Sequence, residues 1–166
     1  TLSRKDGVFA AVRSSPLPKG EGMELLMAAI SHLPTLLATM QPRLGTDEFV
    51  FCTLPSGDWG RVATLDPIVV VRETEALTVV VTVAAAREHG LATAPVLRMI
   101  TLDVLSDLEA VGLTAAFATA LTEVGISANV VAGYHHDHIF VPDRQAQDAM
   151  RALQALQAQA IEDATV

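Results

Sequence analysis

The residues best suited to chemistry are concentrated at one place, Tyr134-His-His-Asp-His138, which holds three of the chain's five histidines. Imidazole is the commonest protein ligand for transition metals, and a carboxylate among histidines extends the donor set. Along a strand, His136 and His138 would share one face while His135 and Asp137 shared the other. A turn breaks that alternation and lets two histidines and the aspartate converge. One reading is therefore a metal-dependent enzyme or metal sensor centred on His135, His136, Asp137 and His138. Against it, His32 and His89 are remote and isolated, and no Cys-rich or His-x-x-x-His element supplies a further ligand. Metal sites draw support from several elements and from surrounding hydrogen bonds. In the other reading the tip is structural or an interface, with Asp137 capping the turn and Tyr134 and His138 packed beneath it. The second reading is preferred. Nucleophilic catalysis has less support still, because no Gly-x-Ser-x-Gly elbow or Gly-rich phosphate loop is present.

Composition narrows the function classes. The net charge is −8 and the eleven Lys and Arg are scattered, so there is no basic stripe of the kind that drives phosphate binding. Nucleic acid and anionic membrane surfaces are not expected partners. Hydrophobic residues make up 51% of the chain, yet the apolar runs are short; the longest, about Ala76–Ala86, is interrupted by threonines. A helical membrane span needs ~20 consecutive apolar residues. The lone Cys52 precludes an internal disulfide and fits a reducing, cytoplasmic setting. It lies in the alternating segment Glu48–Thr53 and reads as a buried, inert thiol. Residues 1–22 mix Ser, Pro, Gly, Lys and Arg without a period and read as a flexible extension.

The elements that must carry these residues follow from patterning. Pro34 suits a first helical position, so a helix runs from there to Met40, with Pro42 and Gly45 ending that segment. Phe49–Leu54 is a strand and Pro55–Asp58 a turn, with Trp59 in the loop. Ile68–Val71 and Leu77–Val83 form a hairpin around the charged Arg72–Glu75, and Ala84–His89 is a short helix stopped by Gly90. In the second half Val96–Leu105 is a strand. Ser106-Asp-Leu-Glu109 has the form of a capping box opening a helix, with Leu108, Val111, Phe117, Leu121 and Val124 near one face. Gly125 closes that helix. Ile126–Ala132 and His138–Val141 form a hairpin, and Asp143 caps a last helix striped with Ala149, Met150, Leu153, Leu156 and Ala160. The order β-α-β-β-α in the second half is most of a ferredoxin-like βαββαβ unit lacking its final strand. A strand lent by the first half would complete it and interlock the halves, with a boundary near Gly90–Ala94.

The segments Ile100–Ala116 and Gly125–Pro142, together with Phe49–Leu54, Asp66-Pro67 and Arg72–Thr78, resemble the ACT-domain superfamily. Within it the chain is similar to a group of small bacterial proteins that carry two ACT-type modules. The resemblance covers about residues 33–158 and is more specific in the second half than in the first. It implies an α+β fold of two ferredoxin-like ACT modules, residues 23–92 and 93–166, with antiparallel sheets covered by helices. It also implies a non-catalytic regulatory or sensing protein that binds a small molecule, an amino acid above all, between modules of a homodimer. No cofactor is expected.

Carried onto this sequence, the ligand site would combine Ser106, Asp107, Leu108, Val111 and Gly112 with Ile126, Ser127, Asn129 and Val130 of a neighbouring module. A helix start offers free amides to a ligand carboxylate, and Asp107 could receive an ammonium group. Gly112 weakens a helix's first turn and so points to a close backbone approach, either to a ligand or to the facing strand. The bland alternative is that Ser106 and Glu109 only cap the helix and the protein is a structural interaction module.

Overall fold

The structure is a computed structural model, and it describes residues 30–165. Residues 1–22, read above as an extension, lie outside the described residues. Helix α1 (Leu33–Thr39), with Pro34 in its first turn, leads into β1 (Pro42–Leu54). Then come α2 (Trp59–Leu65), the hairpin β2 (Val69–Arg72) and β3 (Leu77–Thr82), and α3 (Val83–Glu88). The second half runs β4 (Leu97–Leu102), α4 (Leu113–Glu123), β5 (Asn129–Ala132), β6 (Asp137–Pro142), a 3-10 turn and α5 (Ala146–Asp163).

All six strands form one antiparallel sheet in the order β2-β3-β1-β4-β6-β5. Each half is a βαββα unit with three strands of its own. The fourth-strand place beside β1 is filled by β4, and the place beside β4 is filled by β1. The halves therefore complete each other, and the lending expected of the first half is reciprocal. This α+β architecture of two interlocked ferredoxin-like modules agrees with the sequence-based expectation.

Pairing with β4 also explains why β1 begins seven residues earlier than the alternation at Phe49 suggests. Pro42, Arg43 and Leu44 lie opposite Leu102, Thr101 and Ile100, and the register shifts between Leu44 and Glu48. Such a bulge hides the period-2 signal. Arg98 bridges the irregularity by donating from Nη2 to the Gly45 carbonyl at 2.6 Å. A second departure is α2. Asp58 caps it by accepting from the Arg61 amide, so Trp59 is its first residue rather than part of a loop.

Strand parity places all the helices on one face of the sheet. Ile100, Leu102, Ile139 and Val141 pack under α1, α4 and α5 through Leu36, Phe117, Leu121 and Leu153. Val50, Cys52, Leu54, Val79 and Val81 pack with Leu65 of α2 and Ala86 of α3. Phe140 occupies the reverse face, with Phe49 and Phe51 at 5.7 and 5.5 Å in edge-on contact. Cys52 is buried, as expected.

Because each half supplies the other's inner strand, loss of core packing in one should unfold both. Ile100 is fully buried on β4, and Ile100→Ala should lower stability by about 2–5 kcal/mol. The variant should still melt in one transition, seen equally by circular dichroism and by fluorescence of Trp59 in the other half. Two separated transitions would contradict the reciprocal pairing.

Candidate functional site

The turn from β4 into α4 differs from its sequence reading. Residues Asp103–Gly112 form a loop, and no helix opens at Ser106. Ser106 instead makes a parallel bridge with Ile30, which donates its amide to the Leu105 carbonyl and accepts from the Asp107 amide. The Asp107 carboxylate accepts the Glu109 amide at 2.9 Å, closing a local turn. Ser106 and Glu109 therefore form no capping box; a long-range strand contact has taken the backbone that the local signal would have made helical. Leu108 and Val111, placed by that signal on a buried face, are exposed, and so is Val124. The helix starts one residue after Gly112, whose φ of +104° and whose approach to Leu33 explain the glycine. A Cβ there would stand 2.8 Å from a Leu33 methyl. The close approach at Gly112 is thus to α1, where a ligand or the facing strand was expected.

Gly112 gives α4 no side-chain cap, so the amides of its first turn are left without the usual hydroxyl or carboxylate partner. Beneath them lies a cavity of about 60 Å³ lined by Ser106, Asp107, Leu108, Ala110, Leu113, Thr114, Ala132 and Asp137. The second group of candidate residues lies elsewhere. Ile126 is buried in the core and Val130 packs against it. Ser127 and Asn129 line a separate open groove of about 700 Å³ with Phe51, Leu97, Pro142 and Arg144. Asn129 turns its amide toward the Phe140 carbonyl at 3.4 Å, a specific bond for a polar residue in a strand. Within one chain the two groups do not face each other. Among the described residues the strand that carries the second, β5, pairs on one side and stands at an end of the sheet.

The histidine tip is also resolved into separate roles. Tyr134 is 79% exposed and stacks edge-on against His135, so it does not pack beneath the turn. His136 Nδ1 lies 3.2 Å from the Val104 carbonyl and ties the hairpin to the loop. His138 Nδ1 lies 3.0 Å from the Thr101 hydroxyl, and burial lowers its pKa. Among the described residues no three His, Cys, Asp or Glu side chains are grouped so as to hold a metal ion. Asp143, expected to cap the last helix, sits ahead of it in the 3-10 turn, 3.4 Å from Arg98.

Asp137 is the residue whose role the sequence reading misjudged. It does not cap the turn. Alternation with Ile139 and Val141 puts it on the helix-facing side of β6, where it is 7% exposed. No hydrogen-bond partner for its carboxylate is found among the described residues. Burial raises its pKa, against a smaller opposing pull from His138 and His136. The available signal was the period-2 pattern, which sets an acid where an apolar residue belongs. Nearby, the carboxylate of Asp103 is lowered mainly by its hydrogen bond with Arg43, at 2.7 Å.

Two ACT-domain family models match the chain, one over residues 28–98 and one over 95–155. A Vibrio cholerae protein of unknown function, described as a possible transport protein, is 47% identical, with a TM-score of 0.69 over 75% of this chain and 95% of that one. The chain belongs to the ACT-domain family. The fold is shared with the ligand-free regulatory subunit of aspartate kinase from Thermus thermophilus, at 12% identity and TM-score 0.52 over 72% of this chain and 98% of that one. It is shared too with the Agrobacterium tumefaciens protein Atu0741, at 13% identity and TM-score 0.57, covering 71% and 89%. No curated protein matches. Among the described residues no helix of this ACT-domain protein is long and apolar enough to cross a membrane.

Asp137 sets a test of stability. With its folded pKa raised, its contribution is fully present below the unfolded value of about 3.9 and is lost as pH rises through the folded value. Asp137→Asn should therefore raise the melting temperature at pH 7, and the gain should shrink toward zero near pH 3. A loss of stability at pH 7 would show that the charged carboxylate has a stabilising partner.

Proposed function

We propose that this ACT-domain protein is a non-catalytic sensor that binds an amino acid and passes that signal on as a homodimer. The ligand would lie where the loop Ser106, Asp107, Leu108, Val111 and Gly112 of one module meets the β5 strand of a neighbouring module. There Ser127 and Asn129 offer side chains, and Ile126 and Val130 offer backbone groups. The observation that carries this reading is the uncapped start of α4 above a cavity, because free helix amides suit a carboxylate. The exposed Leu108 and Val111 beside it would be covered by the partner copy. Strands β2 and β5, which end the sheet with one edge unpaired among the described residues, would give the dimer its means of assembly. The regulatory role of the aspartate kinase subunit with the same fold supports the assignment. A metal-dependent function has no comparable support, since the histidines are engaged separately with Val104 and Thr101.

A ligand bound only by the folded state stabilises it, by about 2.7 kcal/mol at a hundred times its Kd. Thermal melts with each of the common amino acids at millimolar concentration should show a rise for one or a few of them. Asn129→Ala should reduce that rise, and sedimentation velocity should give a dimer. The reading fails if no amino acid moves the melting temperature.

A further inference from the structure

We propose that the open groove at the end of the sheet away from the β4–α4 loop is a further binding site. It takes an apolar carboxylate, with the body on Phe51 and Leu97 and the charge on Arg144. The site goes beyond the amino-acid reading above, in which Phe51, Leu97 and Arg144 have no part.

Strand parity puts Phe51, Leu97, Pro142 and Asn129 on the face of the sheet opposite the helices. Leu97 opens β4 and Asn129 opens β5, so the groove lies at the other end of the sheet from the loop that follows β4. Its volume of about 700 Å³ falls within the ~300–1,000 Å³ of ordinary ligand pockets. Its apolar part is held in place in advance. Phe51 is only partly buried, and its ring stands edge-on to the buried Phe140 at 5.5 Å. The turn that carries Arg144 is tied down as well. The Asp143 amide donates to the Val96 carbonyl at 3.1 Å, and Gln145 Nε2 donates to the Gly125 carbonyl at 3.4 Å. These bonds set Arg144 beside the segment that carries Ser127, so binding orders little of the chain.

Charge selects the class of ligand. Among the described residues, the ionisable side chains that line the groove are Asp143 and Arg144. Asp143 is paired with Arg98 at 3.4 Å. Arg144 is exposed and has no acidic partner among the described residues. The unmatched charge is therefore positive. A guanidinium presents a fork of donors that matches a carboxylate, and the Ser127 hydroxyl can add another. An amine, free or on a zwitterion, would meet Arg144 with Asp143 already engaged, which disfavours both. An anion without an apolar body leaves Phe51 and Leu97 uncovered and forgoes the larger source of affinity. A molecule with one carboxylate on an aromatic or branched aliphatic body satisfies both parts of the lining.

Titration calorimetry on the full chain, with one apolar body and different head groups, tests the site. Naphthylacetate should bind, while naphthylacetamide, naphthylmethylamine and acetate should bind at least about fivefold more weakly. Added salt should weaken the acid and leave the amide unchanged, because an exposed ion pair is screened. Arg144→Gln should bring the acid down to the affinity of the amide. Arg87→Gln, which removes an exposed arginine outside the groove, should stay within about twofold of the unaltered protein. Phe51→Ala should weaken acid and amide alike, by about tenfold. A melting curve confirms that each variant is folded, and the exposed Arg144 carries the test if Phe51→Ala does not fold. The proposal is overturned if the amide or the amine binds as tightly as the acid, or if no naphthyl probe binds at millimolar concentration. It is equally overturned if Arg144→Gln leaves the acid's affinity and salt dependence unchanged, or if a folded Phe51→Ala binds the acid as before. Ser127 and Asn129, which the amino-acid site shares, stay unaltered throughout, so failure here leaves that reading standing.

Discussion

The antiparallel contact between β1 and β4 is the constraint on which the rest of this molecule depends. Each half has only three strands of its own, and without a fourth its first strand would present an open row of backbone donors and acceptors. Pairing the two first strands removes both edges at once. It also carries a first-half residue into the second half's core, because Leu44 of β1, opposite Ile100, packs against that cluster. Neither half is a finished folding unit in this arrangement, although each has its own helices.

From that contact follows the distribution of free edges. With β1 and β4 at the centre, β2 and β5 stand at the ends among the described residues, one from each half. The crossover connections put every helix on the same face, so the loop entering α4 comes close to α1 and the segment at Ile30. The loop is therefore shaped by residues nearly eighty positions away in sequence. Its cavity, its uncapped helix start and its glycine are all consequences of that packing.

Asp137 shows where such a fold departs from greatest stability. Every other inward position of β6 is apolar and buried, as Ile139 and Val141 are. An acid in the same row has its pKa raised by burial and supplies no apolar surface to the core. Violations of a local rule that gain nothing in packing are expected at functional positions. The histidines beside it have smaller structural duties, one to the Val104 carbonyl and one to Thr101.

The sequence by itself determined the elements with regular periods. The hairpins β2–β3 and β5–β6, the helix stripe of Phe117 and Leu121, and that of Ala149, Leu153 and Ala160 were legible because alternation and helical spacing report burial directly. The residues of the ACT resemblance pointed to the family, and the missing final strand already implied that the halves interlock. Three things were decided only by tertiary structure. The bulge at Gly45–Asp47 hid the first half of β1, since an irregular register erases the period. The capping signal at Ser106–Glu109 lost to the bridge with Ile30, because a long-range strand contact and the packing of Gly112 against Leu33 outweigh a local cap worth about 1 kcal/mol. The inward setting of Asp137 had a visible trace in alternation, but its isolation depended on which loop and helix end came to rest above it. Periodicity records which way a side chain points; only the assembled chain decides what stands opposite.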